Sequence, residues 1–271
     1  EREREREREG RDSFDSKKEN KFGKMFKKPF KTSGSNVVKK SVKRNLVNTL
    51  KKKYPNLSDE EWSELIPAKG AELTITKVQG SHTVIYSLDG QPFFFDADNR
   101  GELYPTVYAM WKAPRLAETI IVQPNVFTFL ERGADLFLPG VLTPTGGMKW
   151  EKGAPRSVTL LQYGLPLAVG EVIVDDQYVA QNGMKGKGVR IVHHYKDKLW
   201  EMGNRSHPQN QKGWKLGQAW AGYEEHYATH GLTVGEEGES TSGPAAGEEE
   251  EGGDAGTSGG DGAQDKGKEE A

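Results

Sequence analysis

The chain has 271 residues, no cysteine, and 38 basic against 40 acidic side chains, for a formal charge of −2. The lack of cysteine excludes a disulfide framework, thiolate zinc sites and a cysteine nucleophile. Hydrophobic residues make up only 34% beside 33 glycines, too few to pack the chain end to end, and no run approaches the roughly 20 apolar residues that span a bilayer. No basic start followed by an apolar stretch marks a secretory signal, so a soluble, cytoplasmic protein without a membrane segment is expected.

Residues 1–9 alternate Glu and Arg strictly. On a helix or a strand this pattern buries nothing, so residues 1–24 are expected to be disordered. An in-frame GAGAGA nucleotide run encodes such a repeat, and the expected natural start is Met25. From Met25 to Lys53 there are ten cations (Lys27, Lys28, Lys31, Lys39, Lys40, Lys43, Arg44, Lys51, Lys52, Lys53) and no acid. Inside that stretch Val38, Val42, Leu46 and Leu50 recur every fourth residue with Val47 beside them, which predicts an amphipathic helix with a basic outer face. Tyr54-Pro55 ends it. Ser58-Asp59-Glu60-Glu61 predicts a capping box and a short helix carrying Trp62, Leu65 and Ile66, stopped by Pro67.

Strands are predicted next, over Glu72–Val78 with Leu73 and Ile75 on one face, and over His82–Leu88 with Val84, Tyr86 and Leu88 together. Asp89-Gly90 is a tight-hairpin signal leading into Pro92-Phe93-Phe94-Phe95. Tyr104-Pro105 is expected to open a helix over Thr106–Lys112. Residues 25–115 therefore read as one α+β domain. A second domain, 116–203, reads as mostly β. It holds a short helix over Asn125–Arg132 closed by Gly133, then strands over Ala134–Leu138, Ser157–Leu161, Leu167–Val174 and Val189–His194. Short strands punctuated by Gly and Pro suggest a small barrel. Residues 204–271 read as a disordered, Gly-rich acidic tail, with twelve Asp/Glu against two Lys after Val234. An aromatic patch at Trp214, Trp220, Tyr223 and Tyr227 is either a docking motif or a linker.

Four segments carry a family resemblance: Gly133-Ala134-Asp135-Leu136-Phe137-Leu138-Pro139-Gly140-Val141, Pro166-Leu167-Ala168-Val169-Gly170, Gly186-Lys187-Gly188-Val189, and His194-Tyr195-Lys196-Asp197-Lys198-Leu199-Trp200. In this order and spacing they resemble a PUA domain, an RNA-binding pseudobarrel. Gly133, Ala134, Asp135, Pro139, Gly140, Gly170 and Trp200 are its motif positions. Gly153-Ala154 departs from the Gly-Asp found in many such domains. Upstream, Met25-Phe26-Lys27-Lys28-Pro29-Phe30-Lys31, Ser63–Pro67 and Leu103–Trp111 resemble the pre-PUA domain of the ligatin family of translation initiation factors. The resemblance covers residues 25–206. It implies an α+β pre-PUA domain followed by a mostly β PUA pseudobarrel, small-ribosomal-subunit RNA and initiator tRNA as partners, and a role in GTP-independent tRNA delivery and ribosome recycling. A second reading within the family is a scaffold that pairs with a density-regulated-type protein.

Candidate RNA contacts are Lys27, Lys28, Lys39, Lys40, Lys43, Arg44, Lys51, Lys52 and Lys53, because lysines set on phosphates release counterions; the alternative is a solvated helix face. Gly183-Met184-Lys185-Gly186-Lys187-Gly188 is a second candidate, with Lys185, Lys187 and Arg190 as its side chains and Gly186 and Gly188 admitting close backbone approach; the alternative is a plain turn. Adjacent His193 and His194 are expected to serve packing or backbone hydrogen bonding rather than a metal, since neighbours on a strand point to opposite faces. Trp111 and Trp200 are expected in the core or between the domains. No nucleophile–base–acid set stands out, Asp175-Asp176 reads as a turn, and neither a catalytic site nor a cofactor is expected.

Overall fold

The computed structural model describes residues 26–161 and 165–208. The expected disorder of 1–24 and of the tail beyond 208, and the aromatic patch within it, lie outside the described residues. The first half opens with strand β1 (Asn36–Val37) and helix α1 (Lys40–Lys53). Leu46 and Leu50 are buried, Val38 and Val47 are half-buried against the same core, and Val42 stays 43% exposed. Helix α2 (Asp59–Leu65) begins with a complete capping box: Glu61 N–H donates to Ser58 Oγ, and the Ser58 N–H donates to Glu61 Oε2 at 2.7 Å.

A five-stranded antiparallel sheet follows in the order β1-β2-β3-β4-β5, built from β2 (Leu73–Lys77), β3 (Val84–Leu88), β4 (Gln91–Asp96) and β5 (Leu103–Pro105). Asp89 and Gly90 join β3 to β4 with φ of 50° and 79°, the two positive values that a type I′ hairpin needs. The face expected for Glu72–Val78 is only partly right. Leu73 is buried, but Ile75 is half-buried, while Thr76 and Val78 lie at 4% and 6% exposure. Tyr104-Pro105 belongs to a strand, not to the first turn of a helix. That strand pairs with β4, and helix α3 (Val107–Lys112) starts one residue later on the Thr106 cap.

The chain passes through a 3₁₀ turn at Pro114–Leu116 directly into β6 (Glu118–Val122), a strand that alternation could not reveal because Ile120, Ile121 and Val122 are all fully buried. Helix α4 (Pro124–Glu131) is followed by β7 (Leu136–Phe137), a 3₁₀ turn at Leu138–Gly140 and β8 (Val141–Leu142), so the expected strand over 134–138 is confined to two residues. The remaining elements are β9 (Pro155–Leu160), β10 (Pro166–Val172), α5 (Asp176–Asn182), β11 (Lys187–His194) and α6 (Lys198–Met202). Asp175-Asp176 therefore starts a helix: Asp175 Oδ1 accepts from Tyr178 N–H at 2.8 Å.

The second sheet among the described residues runs β7-β11-β10-β9-β6-β8. Its two outer strands, β7 and β8, are separated in sequence by only the three residues of the 3₁₀ turn. The sheet must therefore curl until its edges almost meet, which makes the second half a nearly closed pseudobarrel. A register shift at Val169/Gly170 bends β10. At that bend β11 comes so close that a Cβ on Gly170 would fall 2.6 Å from the Arg190 carbonyl oxygen.

One apolar cluster fills the barrel with Ile120, Val122, Leu136, Val158, Val172 and Val189. A larger cluster packs α1, α2 and the first sheet, and it also takes in Val169, Val192 and Leu199 from the second half. A third, around Val107, Tyr108, Trp111, Leu165 and Trp200, closes the seam between the halves. Trp111 Nε1–H donates to the Pro166 carbonyl at 2.7 Å, and Tyr108 O–H donates to the Trp200 carbonyl at 2.7 Å. Trp111 and Trp200 are thus anchors between the halves. The N-terminal strap crosses the same seam: Lys198 N–H donates to the Phe26 carbonyl at 2.9 Å, and the Phe26 ring meets Phe95 and His193 edge-on.

Candidate nucleic-acid interface

Because α1 buries the Leu46 and Leu50 side, the opposite side of the helix faces water. Lys39, Lys40, Arg44 and Lys52 are exposed there, as are Lys28 and Lys31 in the strap. Among the described residues none of these six has an ion-pair or hydrogen-bond partner for its side chain. The first turn holds no acid, and the last turn holds Lys51, Lys52 and Lys53, where cations suit the negative end of the helix.

The other predicted cations of this stretch are engaged within the fold. Lys43 Nζ donates to the Ala71 carbonyl at 2.7 Å, Lys51 pairs with Asp59, and Lys27 donates to the Gly133 carbonyl. Lys53 pairs with Glu102 at 3.3 Å, and its ammonium lies 4.6 Å from the centre of the Tyr104 ring. Tyr104 in turn donates its O–H to Glu171 Oε2 at 2.7 Å, and Arg190 stands 3.9 Å from the same carboxylate with its side chain only 12% exposed. Burial, and then the Glu171 carboxylate, raise the Tyr104 hydroxyl far above an ordinary phenol. Lys53 and Arg190, from opposite halves, therefore meet in one charged network across the seam.

The glycine loop joins α5 to β11. Gly183 caps α5, Lys185 is exposed, and the Gly186 carbonyl accepts from Leu138 N–H at 2.8 Å. Lys187 pairs with Asp135 at 3.1 Å while its side chain stays 55% exposed. Asp135 also accepts from Ile191 N–H at 3.3 Å, which ties the motif loop to β11. Gly188 is buried, and a Cβ there would lie 2.5 Å from Leu138 Cδ2, so it serves packing. The remaining motif positions are structural as well. Gly133 and Ala134 close α4, Pro139 and Gly140 make the 3₁₀ turn between β7 and β8, and Trp200 Nε1–H donates to Ser206 at 3.1 Å.

His193 and His194 end β11. His193 Nδ1 bonds Asp197 Oδ2 at 2.7 Å in full burial, and His194 Nδ1 bonds the Tyr195 carbonyl at 2.8 Å. Asp197 also caps α6 by accepting from Leu199 and Trp200 N–H at 2.9 Å, and it takes the His194 N–H at 3.0 Å. Burial holds the His194 imidazole below the usual histidine range, against the opposing pull of Asp197. Among the described residues there is no His/Cys/Asp/Glu group able to hold a metal, and no helix is long and apolar enough to cross a membrane. Sequence reasoning missed two exposed aromatic residues beside the glycine loop, Phe137 and Tyr178. Tyr178 could have been found from the Asp175 cap, which marks a helix start.

Comparison with known proteins bears on the whole arrangement. The Pre-PUA-like domain profile matches residues 26–114, and the PUA domain profile of translation initiation factor 2D matches 117–198. The chain is 35% identical over 188 residues to eukaryotic translation initiation factor 2D of Mus musculus, covering 68% of this chain and 32% of the mouse protein. It thus spans about a third of that relative's length. It is 30% identical over 169 residues to translation machinery-associated protein 20 of Saccharomyces cerevisiae, covering 60% of this chain and 89% of the yeast protein. The crystal structure of a hypothetical protein from Pyrococcus horikoshii superposes with a TM-score of 0.50 at 20% identity, covering 63% of this chain and 99% of the archaeal one, a likeness of fold. The chain belongs to the pre-PUA–PUA family that includes translation initiation factor 2D and translation machinery-associated protein 20.

Proposed function

We propose that this chain is a non-enzymatic, cytoplasmic RNA-binding module of translation that docks on the small ribosomal subunit through the outer face of α1 and assists GTP-independent delivery of initiator tRNA and subunit recycling. The observation that carries the docking surface is the set Lys39, Lys40, Arg44 and Lys52, exposed along one helix and its N-cap with no anionic partner among the described residues. Cations held free of internal pairs are what a phosphate backbone recruits, and each contact adds a salt-dependent increment. The names of the matched relatives support the setting in translation.

The test is sedimentation of the full chain with purified small ribosomal subunits across a salt series. Binding should fall steeply with salt. Replacing Lys39, Lys40, Arg44 and Lys52 together with Gln should flatten the log–log slope by roughly 0.7–0.9 for each phosphate that is no longer neutralised. An unchanged slope would discard α1 as the docking surface. No binding of the parent chain at low salt would move the scaffold reading, with its density-regulated-type partner, ahead.

A further inference from the structure

Among the described residues large apolar side chains on the surface are few, and two of them, Phe137 and Tyr178, come from different elements to the same loop. Phe137 lies on β7 as the direct cross-strand partner of Lys187 on β11, so the two side chains share a face of the sheet. Phe137 is 49% exposed. Tyr178 lies on α5, is 39% exposed, and its hydroxyl stands 3.0 Å from the point that a Cβ on Gly186 would occupy. Both aromatics thus adjoin Gly186-Lys187, and among the described residues the two make no ring contact with each other.

The backbone at both aromatics is anchored. The Phe137 backbone is fixed between the β11 pairing and the 3₁₀ turn, whose Leu138 N–H donates to the Gly186 carbonyl at 2.8 Å. The Tyr178 N–H is bonded to the Asp175 cap at 2.8 Å. The charge beside them is positive. Lys185 is exposed with no partner among the described residues, and Lys187, though paired with Asp135 at 3.1 Å, keeps half its side chain in water. Two separate exposed aromatic side chains with cations beside them match unpaired nucleotides: the rings supply stacking surfaces and the lysines meet the phosphates.

We propose that Phe137 and Tyr178 form a stacking platform for unpaired RNA bases, with Lys185 and Lys187 engaging the adjoining backbone. This deepens the RNA-binding reading and rests on it. The two surfaces then act in different ways. Helix α1 contributes a salt-sensitive hold on phosphates, and the platform adds one that requires exposed bases.

The test uses the full chain and two probes, a fluorescein-labelled oligoadenylate and the same strand annealed to oligouridylate. Fluorescence anisotropy is read across a salt series. Phe137→Ala and Tyr178→Ala should each weaken single-strand binding by about tenfold, the range of a base–aromatic contact, without changing the salt slope. Tyr178→Phe should keep the affinity, because the ring and not the hydroxyl stacks. Lys185→Gln should lower the slope by about the increment of one phosphate contact. Duplex binding should ignore both aromatic substitutions. Parent affinity retained by Phe137→Ala and Tyr178→Ala, or an equal loss on the duplex, would overturn the platform while leaving the α1 reading intact. Parent protein that binds neither probe, nor ribosomal subunits, would overturn both. Thermal melting of each variant should match the parent, since neither ring belongs to a buried cluster.

Discussion

On α1, Lys39, Lys40, Arg44 and Lys52 reach water with no partner among the described residues, whereas at the seam Lys53 and Arg190 face Glu102 and Glu171 around the Tyr104 ring. In sequence, Lys52 and Lys53 are neighbours in one acid-free run. The fold separates them by direction alone: one helical step turns the chain's charge from solvent toward a carboxylate brought in from another element. A cation count therefore measures how much charge a segment carries, and only the tertiary contacts decide how much is available to a ligand.

The largest effect that would sharpen this contrast is expected at Asp197. Its carboxylate holds the His193 ring, three backbone N–H groups and the start of α6. Asp197→Ala should cost about 3 kcal/mol or more, since buried donors are left unpaired and a cap is lost. Urea unfolding followed by tryptophan fluorescence and by far-UV circular dichroism should still give one coincident transition. Two separated transitions would show that the seam couples the halves weakly and would break the comparison at its root.

Trp111→Phe comes next. It keeps most of the ring but removes the donor to the Pro166 carbonyl, and a loss of about 1–3 kcal/mol is expected in the same assay. Tyr104→Phe should cost less, about 1 kcal/mol, and it carries a pH signature. The hydroxyl's folded pKa is raised, so its contribution is fully present below about pH 10 and is lost as pH rises toward the folded value. The variant should therefore show a flatter alkaline decline of stability than the parent. His194 gives the opposite limb. Its folded pKa is lowered, so its contribution is present above about pH 6.5 and is lost as pH falls below that value. His194→Gln should soften the acid decline. The smallest effect on stability belongs to α1: replacing Lys39, Lys40, Arg44 and Lys52 with Gln should move it by less than about 0.5 kcal/mol for each residue. A larger loss would mean that these cations support the fold.

Local chemistry was the legible part of the sequence. The Ser58–Glu61 capping box, the Asp89-Gly90 hairpin and the apolar stripe of α1 each depend on residues within a turn or two, and each stands in the structure. The family pattern of the second half was legible for a similar reason, since its glycines mark sites of close approach such as Gly170 against β11. What escaped notice lacked a pattern. The β6 strand is buried on both faces and shows no alternation. The α5 helix buries no residue and so has no stripe, and α6 is five residues long, too short for a period to register. At the candidate interface, helix periodicity separated the basic side of α1 from its buried side. The partners of Lys27, Lys53 and Arg190 sit 106, 49 and 19 positions away, and no local reading reaches them.

The strap at Phe26 carries a consequence for synthesis. Phe26 is buried in the same cluster as Leu199, and its carbonyl receives the Lys198 N–H. A nascent chain that has released only its first half holds Phe26 and Phe95 beside an empty berth, with the residues that fill it still to be made. The pre-PUA half cannot finish its core on its own schedule. Its cluster is complete only once α6 has emerged, through a contact between nearly opposite ends of the described chain.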